Sequence, residues 1–293
     1  MIKEKYTSKS SVLRLESKKI KIAQLEFDCL VSGNEDDELV LLLHGFPESS
    51  YVFRNLINDL VSHGYYCIAP NLRGYSSKAR PRGKKNYEIM HLVNDVLGIA
   101  KSVNKERFHL IGHDWGALIG WQVVHDHSDL IASWTGISVP HPQSFYEAIL
   151  NDPDQQKKSK YIRFFQLPIL PEFQMKSKGF KLLRGLWSEQ SEDEIENYIS
   201  ILKEPGALTA VLNYYRAAYK IIKRAASEQI LGDIKVPTLF IRGTQDAAIG
   251  AVSVEGNHKY MKGDYTFLEL KGGHWLLQTH YTEVKEAIIK HLE

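Results

Sequence analysis

The chain has 293 residues, of which 43% are hydrophobic and 25% are charged. These are ordinary values for a globular protein, and the length suits one large α/β domain with an insertion or two small domains. Lys and Arg number 37 and Asp and Glu number 35, so the formal net charge is +2. So small a net charge gives no electrostatic reason to expect nucleic acid or an acidic membrane as a partner.

Neither the cysteines nor the first residues indicate a special compartment. Cys29 and Cys67 are far apart in the sequence, so we expect neither a zinc cluster nor a redox pair. Residues 1–9 are polar and charged and lack the apolar run of a signal peptide. No apolar stretch reaches the roughly 18 residues that a transmembrane helix needs. We therefore expect a cytoplasmic protein without membrane insertion.

The first half of the chain alternates between strand and helix patterns. Segments 11–15 and 20–27 predict an antiparallel hairpin at the edge of a sheet. Continuous apolar runs then predict strands buried on both faces, and helical spacing predicts helices between them. Such alternation predicts a mostly parallel, twisted sheet with helices on both faces. The predicted elements are strand 39–43, helix 52–60, strand 65–69, helix 87–103, strand 108–111, a helix from residue 115 and strand 131–139.

The pattern changes between residues 141 and 232. Strand-like runs vanish there, helical spacing dominates and prolines punctuate the segment. Strands resume at 238–241 and 265–270, and a closing helix follows at 282–292. A helical block between two stretches of one sheet is best interpreted as a lid over the ligand-binding edge of that sheet. The predicted organisation is a core in two parts, 1–140 and 233–293, with an inserted helical lid at 141–232.

The sharpest motif is Gly-His-Asp-Trp-Gly at 112–116, between a predicted strand and a predicted helix. A strand, a tight turn with small glycines and a helix form the context of a nucleophile elbow. The central residue is Asp114 rather than Ser, and a helix N-terminus favours such an anion. Because Asp is also a good N-cap, the alternative is a simple capped turn.

Two further features lie where a nucleophile elbow needs them. The motif His-Gly-Phe-Pro-Glu at 44–48 follows a predicted strand, in the loop that donates one oxyanion-hole N–H. Phe46 would give that N–H and Trp115 the other, although a plain Gly-Pro turn would leave the same pattern. Asp246 and His274 each follow a predicted strand, at the edge where open α/β sheets carry their sites. They complete the chain order of nucleophile, acid and base.

Two other histidines lie within these motifs, and a third follows the predicted strand 131–139. His44, His113 and His141 are interpreted as structural or supporting residues rather than as catalytic ones.

These motifs resemble those of the epoxide hydrolase branch of the α/β-hydrolase superfamily. The resemblance covers roughly residues 20–290 and includes lid segments at 140–142, 165–168 and 212–216. It implies the α/β-hydrolase fold, with Asp114 as nucleophile, Asp246 as acid and His274 as the base that activates water. It also implies Tyr215 as a lid acid that donates to the epoxide oxygen. No metal and no organic cofactor is needed for this chemistry.

The lid departs from the family pattern at one position. The family commonly uses two lid tyrosines, the first just before the Phe-Gln segment, where this chain has Phe164. Tyr161 lies one helical turn away and is predicted as a possible second lid acid. Phe164, Phe165 and Tyr219 are predicted to line a mostly apolar pocket for a small apolar substrate. Tyr215 lies on a regular apolar stripe, so its alternative role is packing of the lid against the core.

Two other functions fit part of the pattern. A haloalkane dehalogenase would share the Asp-His-Asp arrangement but needs N–H donors for the departing halide. Trp115 offers one donor, whereas Phe46 stands where such enzymes carry Asn, and Trp187 is the one lid tryptophan. A binding protein that keeps the fold without turnover is an alternative of another class. We predict an epoxide hydrolase that forms an Asp114 ester and releases a vicinal diol, with the oligomeric state left open.

Overall fold

The computed structural model describes residues 15–293, and these residues form one eight-stranded sheet. Its strands are β1 (Glu16–Ile22), β2 (Leu25–Ser32), β3 (Glu38–Leu43), β4 (Tyr65–Pro70), β5 (Phe108–His113), β6 (Ile131–Ile137), β7 (Thr238–Gly243) and β8 (Tyr265–Leu270). Their order across the sheet is β1-β2-β4-β3-β5-β6-β7-β8. From β4 to β8 in this order each pair of neighbouring strands is parallel, whereas β2 pairs antiparallel with β4, and the predicted mostly parallel sheet is confirmed.

The N-terminal hairpin lies at the sheet edge, but its predicted boundaries are wrong. β1 and β2 pair antiparallel, from Glu16 opposite Val31 to Ile22 opposite Leu25. The chain therefore turns in the middle of segment 20–27, which the sequence pattern presents as one strand. Ala23 in that turn has a positive φ of 51°, which costs a non-glycine residue little enough to occur without a glycine signal. Most of the other predicted strand, residues 11–14, lies outside the described residues.

The centre of the sheet is the core of the protein. Every residue of β5 is buried, and β3 is buried after its first residue. The helices of this part are α1 (Arg54–Ser62), α2 (Ile89–Ser102), α3 (Trp115–Asp126), α10 (Ala251–Glu255), α11 (Leu276–Thr279) and α12 (Tyr281–Leu292). Helix α1 contacts α12, and α2 contacts α3, so two groups of helices pack on the sheet.

Between β6 and β7 the described chain is helical, as predicted, and contains no strand. We call α4 to α9 the helical insert: α4 (Pro142–Asn151), α5 (Pro153–Lys158), α6 (Lys160–Phe164), α7 (Leu170–Leu186), α8 (Glu192–Leu202) and α9 (Ala207–Arg224). Helix α7 is broken at residues 177–180, where the backbone leaves the helical region. The division into core and lid at residues 141 and 232 stays a prediction.

One glycine sets the distance between α3 and the sheet. A Cβ added at Gly120 would lie 2.0 Å from the ring of Trp134 in β6. The Trp134 ring is fully buried, so it has no open space into which it could move. The close approach of the helix therefore depends on the missing side chain.

We predict opposite stability effects for two helical glycines. Gly120→Ala should lower the free energy of unfolding by about 1–3 kcal/mol, because the buried ring must shift. Gly185→Ala should raise it by up to about 1 kcal/mol, because Ala has the higher helix propensity. Gly185 lies in the exposed end of α7, where an added Cβ meets no atom within 4 Å. Equilibrium denaturation measures both values, and equal effects would mean that Trp134 does not limit the approach of α3.

Candidate active site

Asp114 occupies a strained turn between β5 and α3. Its backbone has φ 50° and ψ −114°, a region that costs a non-glycine residue about 1–3 kcal/mol. The glycines on both sides make the turn possible. A Cβ at Gly112 would lie 2.4 Å from the Gly116 carbonyl oxygen, and one at Gly116 would lie 1.9 Å from that of Leu43. This geometry explains the glycine spacing of the 112–116 motif.

The Asp114 carboxylate is held from outside its own helix. Its side chain accepts no capping hydrogen bond from α3, so the interpretation as an N-cap is wrong. Instead, Oδ1 accepts the Phe46 N–H at 2.7 Å. A Cβ at Gly45 would lie 2.3 Å from the Asp114 Cβ, so the 44–48 loop packs directly on the aspartate. The N–H of Trp115, the first residue of α3, has no acceptor within its own helix.

Asp246 and His274 lie beside Asp114. His274 Nδ1 is 2.7 Å from Asp246 Oδ2, and its Nε2 is 3.5 Å from Asp114 Oδ2. The other Asp246 oxygen accepts the N–H groups of Ala248 at 2.7 Å and Ile249 at 3.0 Å. The parallel strands β5, β7 and β8 thus bring three distant residues together at one edge of the sheet. We call Asp114, His274 and Asp246 the Asp-His-Asp cluster.

The charges of this cluster are coupled. Burial alone raises the pKa of Asp246, but His274 and the two loop N–H groups outweigh it and lower the pKa below its ordinary value. Desolvation alone lowers the pKa of His274, but Asp246 and Asp114 outweigh it and raise the pKa well above its ordinary value. His274 therefore carries a proton while both carboxylates are ionised. Loss of one of those negative charges would lower the pKa of His274 and so populate its neutral form, which is the form that can accept a proton.

A second buried pair holds the backbone of His274. His113 Nδ1 is 3.0 Å from Glu48 Oε2, and its Nε2 is 3.0 Å from the His274 carbonyl oxygen. Ser138 Oγ donates to the same carbonyl at 2.9 Å. His113 therefore bridges the 44–48 loop to the loop that carries His274, which is a supporting role, as predicted. Glu48 was not singled out from the sequence, where its position in the motif was the one available signal.

The other two histidines are buried and neutral. His44 Nε2 accepts the Leu72 N–H at 3.0 Å, and burial lowers the pKa of His44 to about 4. His141 Nδ1 accepts the Gln143 N–H at the start of α4, and burial lowers the pKa of His141 to about 3. Both therefore serve the backbone, as predicted.

A cavity with about 450 Å³ of empty space, part of it open to solvent, borders Asp114 of the Asp-His-Asp cluster. Tyr161 and Tyr215 meet in its wall, with ring centroids 5.8 Å apart. Desolvation, followed by the charge of Asp114, raises the pKa of both phenols, so both hold their protons. The cavity wall is mostly apolar, and its residues are Asp114, Trp115, Leu118, Val139, Phe145, Tyr146, Tyr161, Ile162, Tyr215, Ala218, Ile222, Ala248 and Ile249.

The predicted aromatic pocket residues lie close to this wall, but within the described residues they are not part of it. Phe165 is one layer behind, with its ring centroid 5.0 Å from that of Tyr215 and 5.8 Å from that of Phe46. Phe164 and Tyr219 are half-buried against the core. Sequence reasoning named these three and missed the wall residues from α4 and from the loop after β7.

The tryptophan of the insert lies away from the cavity. Trp187 is fully buried and packs on Tyr198, with ring centroids 5.2 Å apart. It does not belong to the cavity wall in the described chain. A halide leaving group would therefore find Trp115, but no second tryptophan, at this site.

Sequence comparison gives a consistent family. The model of the α/β-hydrolase fold family matches residues 38–281. The chain is 32% identical to epoxide hydrolase 4 of Homo sapiens, over 92% of this chain and 76% of that protein. It is 30% identical to epoxide hydrolase 3 of Xenopus tropicalis, over 92% of this chain and 75% of that protein. It is also 31% identical to the AB hydrolase superfamily protein YfhM of Bacillus subtilis, over 89% and 92% of the two chains.

Solved structures agree with the sequence comparison. An inhibitor complex of an epoxide hydrolase from Bacillus megaterium superposes with a TM-score of 0.85 at 26% identity, and covers 94% of this chain and 99% of that one. Epoxide hydrolase A of Mycobacterium thermoresistibile gives a TM-score of 0.81 at 25% identity, with 95% and 98% covered.

Residues 15–293, the described part of the chain, bear on metal binding and on membrane insertion. No group of three or more His, Cys, Asp or Glu side chains in this range is arranged to hold a metal ion. No helix in this range is both long and apolar enough to cross a bilayer. The cytoplasmic location stays a prediction. From its sequence matches, its sheet and the similar solved structures, the chain belongs to the α/β-hydrolase fold family, in the branch that contains the epoxide hydrolases, and it is a hydrolase.

Proposed function

We propose that this hydrolase converts a small apolar epoxide to a vicinal diol through an ester on Asp114. One observation carries the proposal: a buried carboxylate and two phenols that hold their protons line one mostly apolar cavity, and a protonated imidazole lies 3.5 Å from that carboxylate. Attack on carbon needs the first, and an epoxide oxygen needs a proton donor when the ring opens. The names of the relatives support the same substrate class.

The first step consumes the charge of Asp114. A carboxylate oxygen bonds to one epoxide carbon, and the C–O bond of the ring breaks. The alkoxide that forms takes a proton from Tyr215, with Tyr161 as the second donor, since their rings adjoin in the cavity wall. The product of this step is an ester between Asp114 and the substrate, with the hydroxyl still attached to the adjacent carbon.

The second step uses His274. Because the ester has no negative charge, one of the two causes that raise the His274 pKa is lost. The ring gives its proton to the phenolate or to solvent, and then accepts a proton from the attacking water. The oxyanion forms between the N–H groups of Phe46 and Trp115, a stabilisation of about 3 kcal/mol for each donor. The tetrahedral intermediate collapses when the bond from its carbon to the substrate oxygen breaks; that oxygen takes the proton of the new carboxyl group, so the diol leaves and Asp114 is again a carboxylate.

The helical insert acts as a lid in this proposal. It supplies Tyr161 from α6 and Tyr215 from α9, together with most of the apolar wall. An apolar wall excludes water from the attacking carboxylate and favours an apolar substrate. A cofactor has no part in either step.

His274→Ala should stop the reaction after its first step. Asp114 is retained, so the variant should gain the mass of one substrate molecule in intact-mass spectrometry after incubation with an epoxide. Asp114→Ala is the control, and it should show no added mass and less than about one per cent of wild-type turnover. A His274→Ala protein that binds the epoxide but forms no adduct would indicate direct attack by water instead.

Tyr215→Phe should lower epoxide turnover about 100-fold, because the opening ring loses a proton donor. Tyr161→Phe should also slow turnover, and the double variant should be slower than either single one. Tyr219→Phe is the matched control, since this half-buried tyrosine of α9 lies outside the cavity wall, and it should keep the wild-type rate. The assay measures diol from epoxides and halide from haloalkanes. Unchanged epoxide rates combined with halide release would favour a dehalogenase.

Low pH should trap the ester. The pKa of His274 is raised in the free enzyme by both carboxylates, and Asp246 alone still raises it after the ester has formed. Below the pKa that remains, the ring is protonated and cannot accept a proton from water. Ester hydrolysis should therefore fall about tenfold for each pH unit in that range, while ester accumulates. Quenched single-turnover reactions followed by mass spectrometry measure this rate, and a rate independent of pH would contradict the role of His274.

A further inference from the structure

One side chain of the helical insert is hydrogen-bonded to the loop that follows β7. Gln155 of α5 is fully buried. Its Nε2 donates to the Ala248 carbonyl oxygen at 2.8 Å, and its Oε1 accepts the Gly250 N–H at 2.7 Å. The same Nε2 also donates to Ser159 Oγ at 2.9 Å. A buried amide with each polar atom bonded is a rigid link between two segments 93 residues apart.

The peptide that Gln155 holds is one of the two that bind the acid. The Ala248 carbonyl and the Ile249 N–H belong to a single planar peptide unit. Gln155 fixes the carbonyl end of that unit, while its N–H end donates to Asp246 Oδ1 at 3.0 Å. If the carbonyl end were free, the unit could rotate and carry the N–H away from the carboxylate. The orientation of Asp246 therefore depends on a hydrogen bond that comes from the insert.

Helix α5, which carries Gln155, is itself held by further hydrogen bonds. The Gln155 N–H donates to Asp152 Oδ2 at 2.8 Å, which caps the start of α5. At the end of the same helix, Lys158 Nζ donates to the Asp246 backbone oxygen at 2.5 Å. Helix α5 is thus bonded to the loop after β7 through two side chains, Gln155 and Lys158, and Lys158 bonds to Asp246 itself.

We infer that Gln155 is a positioning residue for the second step of the reaction, acting through the 248–249 peptide on Asp246 and through Asp246 on His274. This inference rests on the proposed function. Ala248 and Ile249 line the cavity, but Asp114 makes no hydrogen bond to residues 246–250 in the described structure, so at saturating epoxide ester formation should not depend on the Gln155 hydrogen bonds. Loss of Gln155 should therefore slow the hydrolysis of the ester and spare its formation.

Two substitutions distinguish the contributions of the Gln155 hydrogen bonds to the loop after β7. Gln155→Met keeps the length of the side chain and removes all three of its hydrogen bonds, two of them to the loop after β7. Gln155→Glu keeps an acceptor for the Gly250 N–H but places an oxygen against the Ala248 carbonyl, which should turn that peptide. Gln156→Met is the matched control, because this neighbour is exposed on the same helix and bonds to the Leu150 carbonyl alone.

The experiment follows one turnover of an epoxide by quenched intact-mass spectrometry, over a range of pH. Ester formation should stay within about twofold of wild type in every variant. Ester hydrolysis should fall about tenfold or more in Gln155→Met, and further in Gln155→Glu, as expected for a misplaced catalytic group. The pH at which hydrolysis is half-maximal should also shift, which a purely structural defect would not cause. Gln156→Met should match wild type in both steps.

The outcomes separate the inference from the proposed function. If wild type forms neither ester nor diol with any epoxide, the proposed function fails. If wild type reacts as proposed but the Gln155 variants hydrolyse the ester at its rate, or lose both steps equally, only the inference fails. Thermal unfolding shows whether Gln155→Met is folded, and if it is not, the nearly isosteric Gln155→Glu decides.

Discussion

A protonated imidazole between two carboxylates is the interaction on which this site depends. His274 contacts Asp246 at 2.7 Å and Asp114 at 3.5 Å, in surroundings that disfavour isolated charges. The imidazolium stabilises the carboxylates and they stabilise it, so loss of any one charge changes the protonation of the others. The strained backbone at Asp114 and the close glycines of its turn are maintained because they bring its carboxylate to this position. The fold supplies the three residues from different strands, which fixes their distances.

The polar contacts around the cluster come from both the sheet loops and the helical insert. On one side, Glu48 and His113 hold the carbonyl of His274. On the other side, Gln155 and Lys158 hold the loop of Asp246. Two of these residues come from the insert, so the orientation of His274 depends partly on the segment that also contributes the cavity tyrosines. In this arrangement, packing of the insert on the core and orientation of His274 are not independent.

The sequence was most informative where the signals are short in range. The strand, turn and helix around Asp114 are visible because the glycines, the apolar run and the helix are contiguous, and the chain order of Asp246 and His274 follows from the topology. The hairpin boundary was wrong because alternation continues through the turn at Ala23. Tyr161 and Tyr215 were predicted and lie in the cavity wall, whereas the wall residues from α4 and from the loop after β7 were not predicted, because their approach to the cavity depends on tertiary packing. Gln155 gave no signal, since its partners are distant in sequence and are backbone atoms.

One charge accounts for the order of events at the site. In the proposed reaction Asp114 starts as an anion: together with desolvation of the two phenols and with the charge of Asp246 beside the imidazole, it raises the pKa of Tyr161, Tyr215 and His274. Attack on an epoxide carbon spreads that charge onto the departing oxygen and finally removes it from Asp114. The phenols then become stronger acids as the alkoxide forms, and the imidazole becomes able to act as a base as the ester appears. A serine at the elbow, neutral in its resting state, would exert no such effect. In the proposed mechanism, Asp114 is thus both the nucleophile and the charge that sets the order of the proton transfers around it.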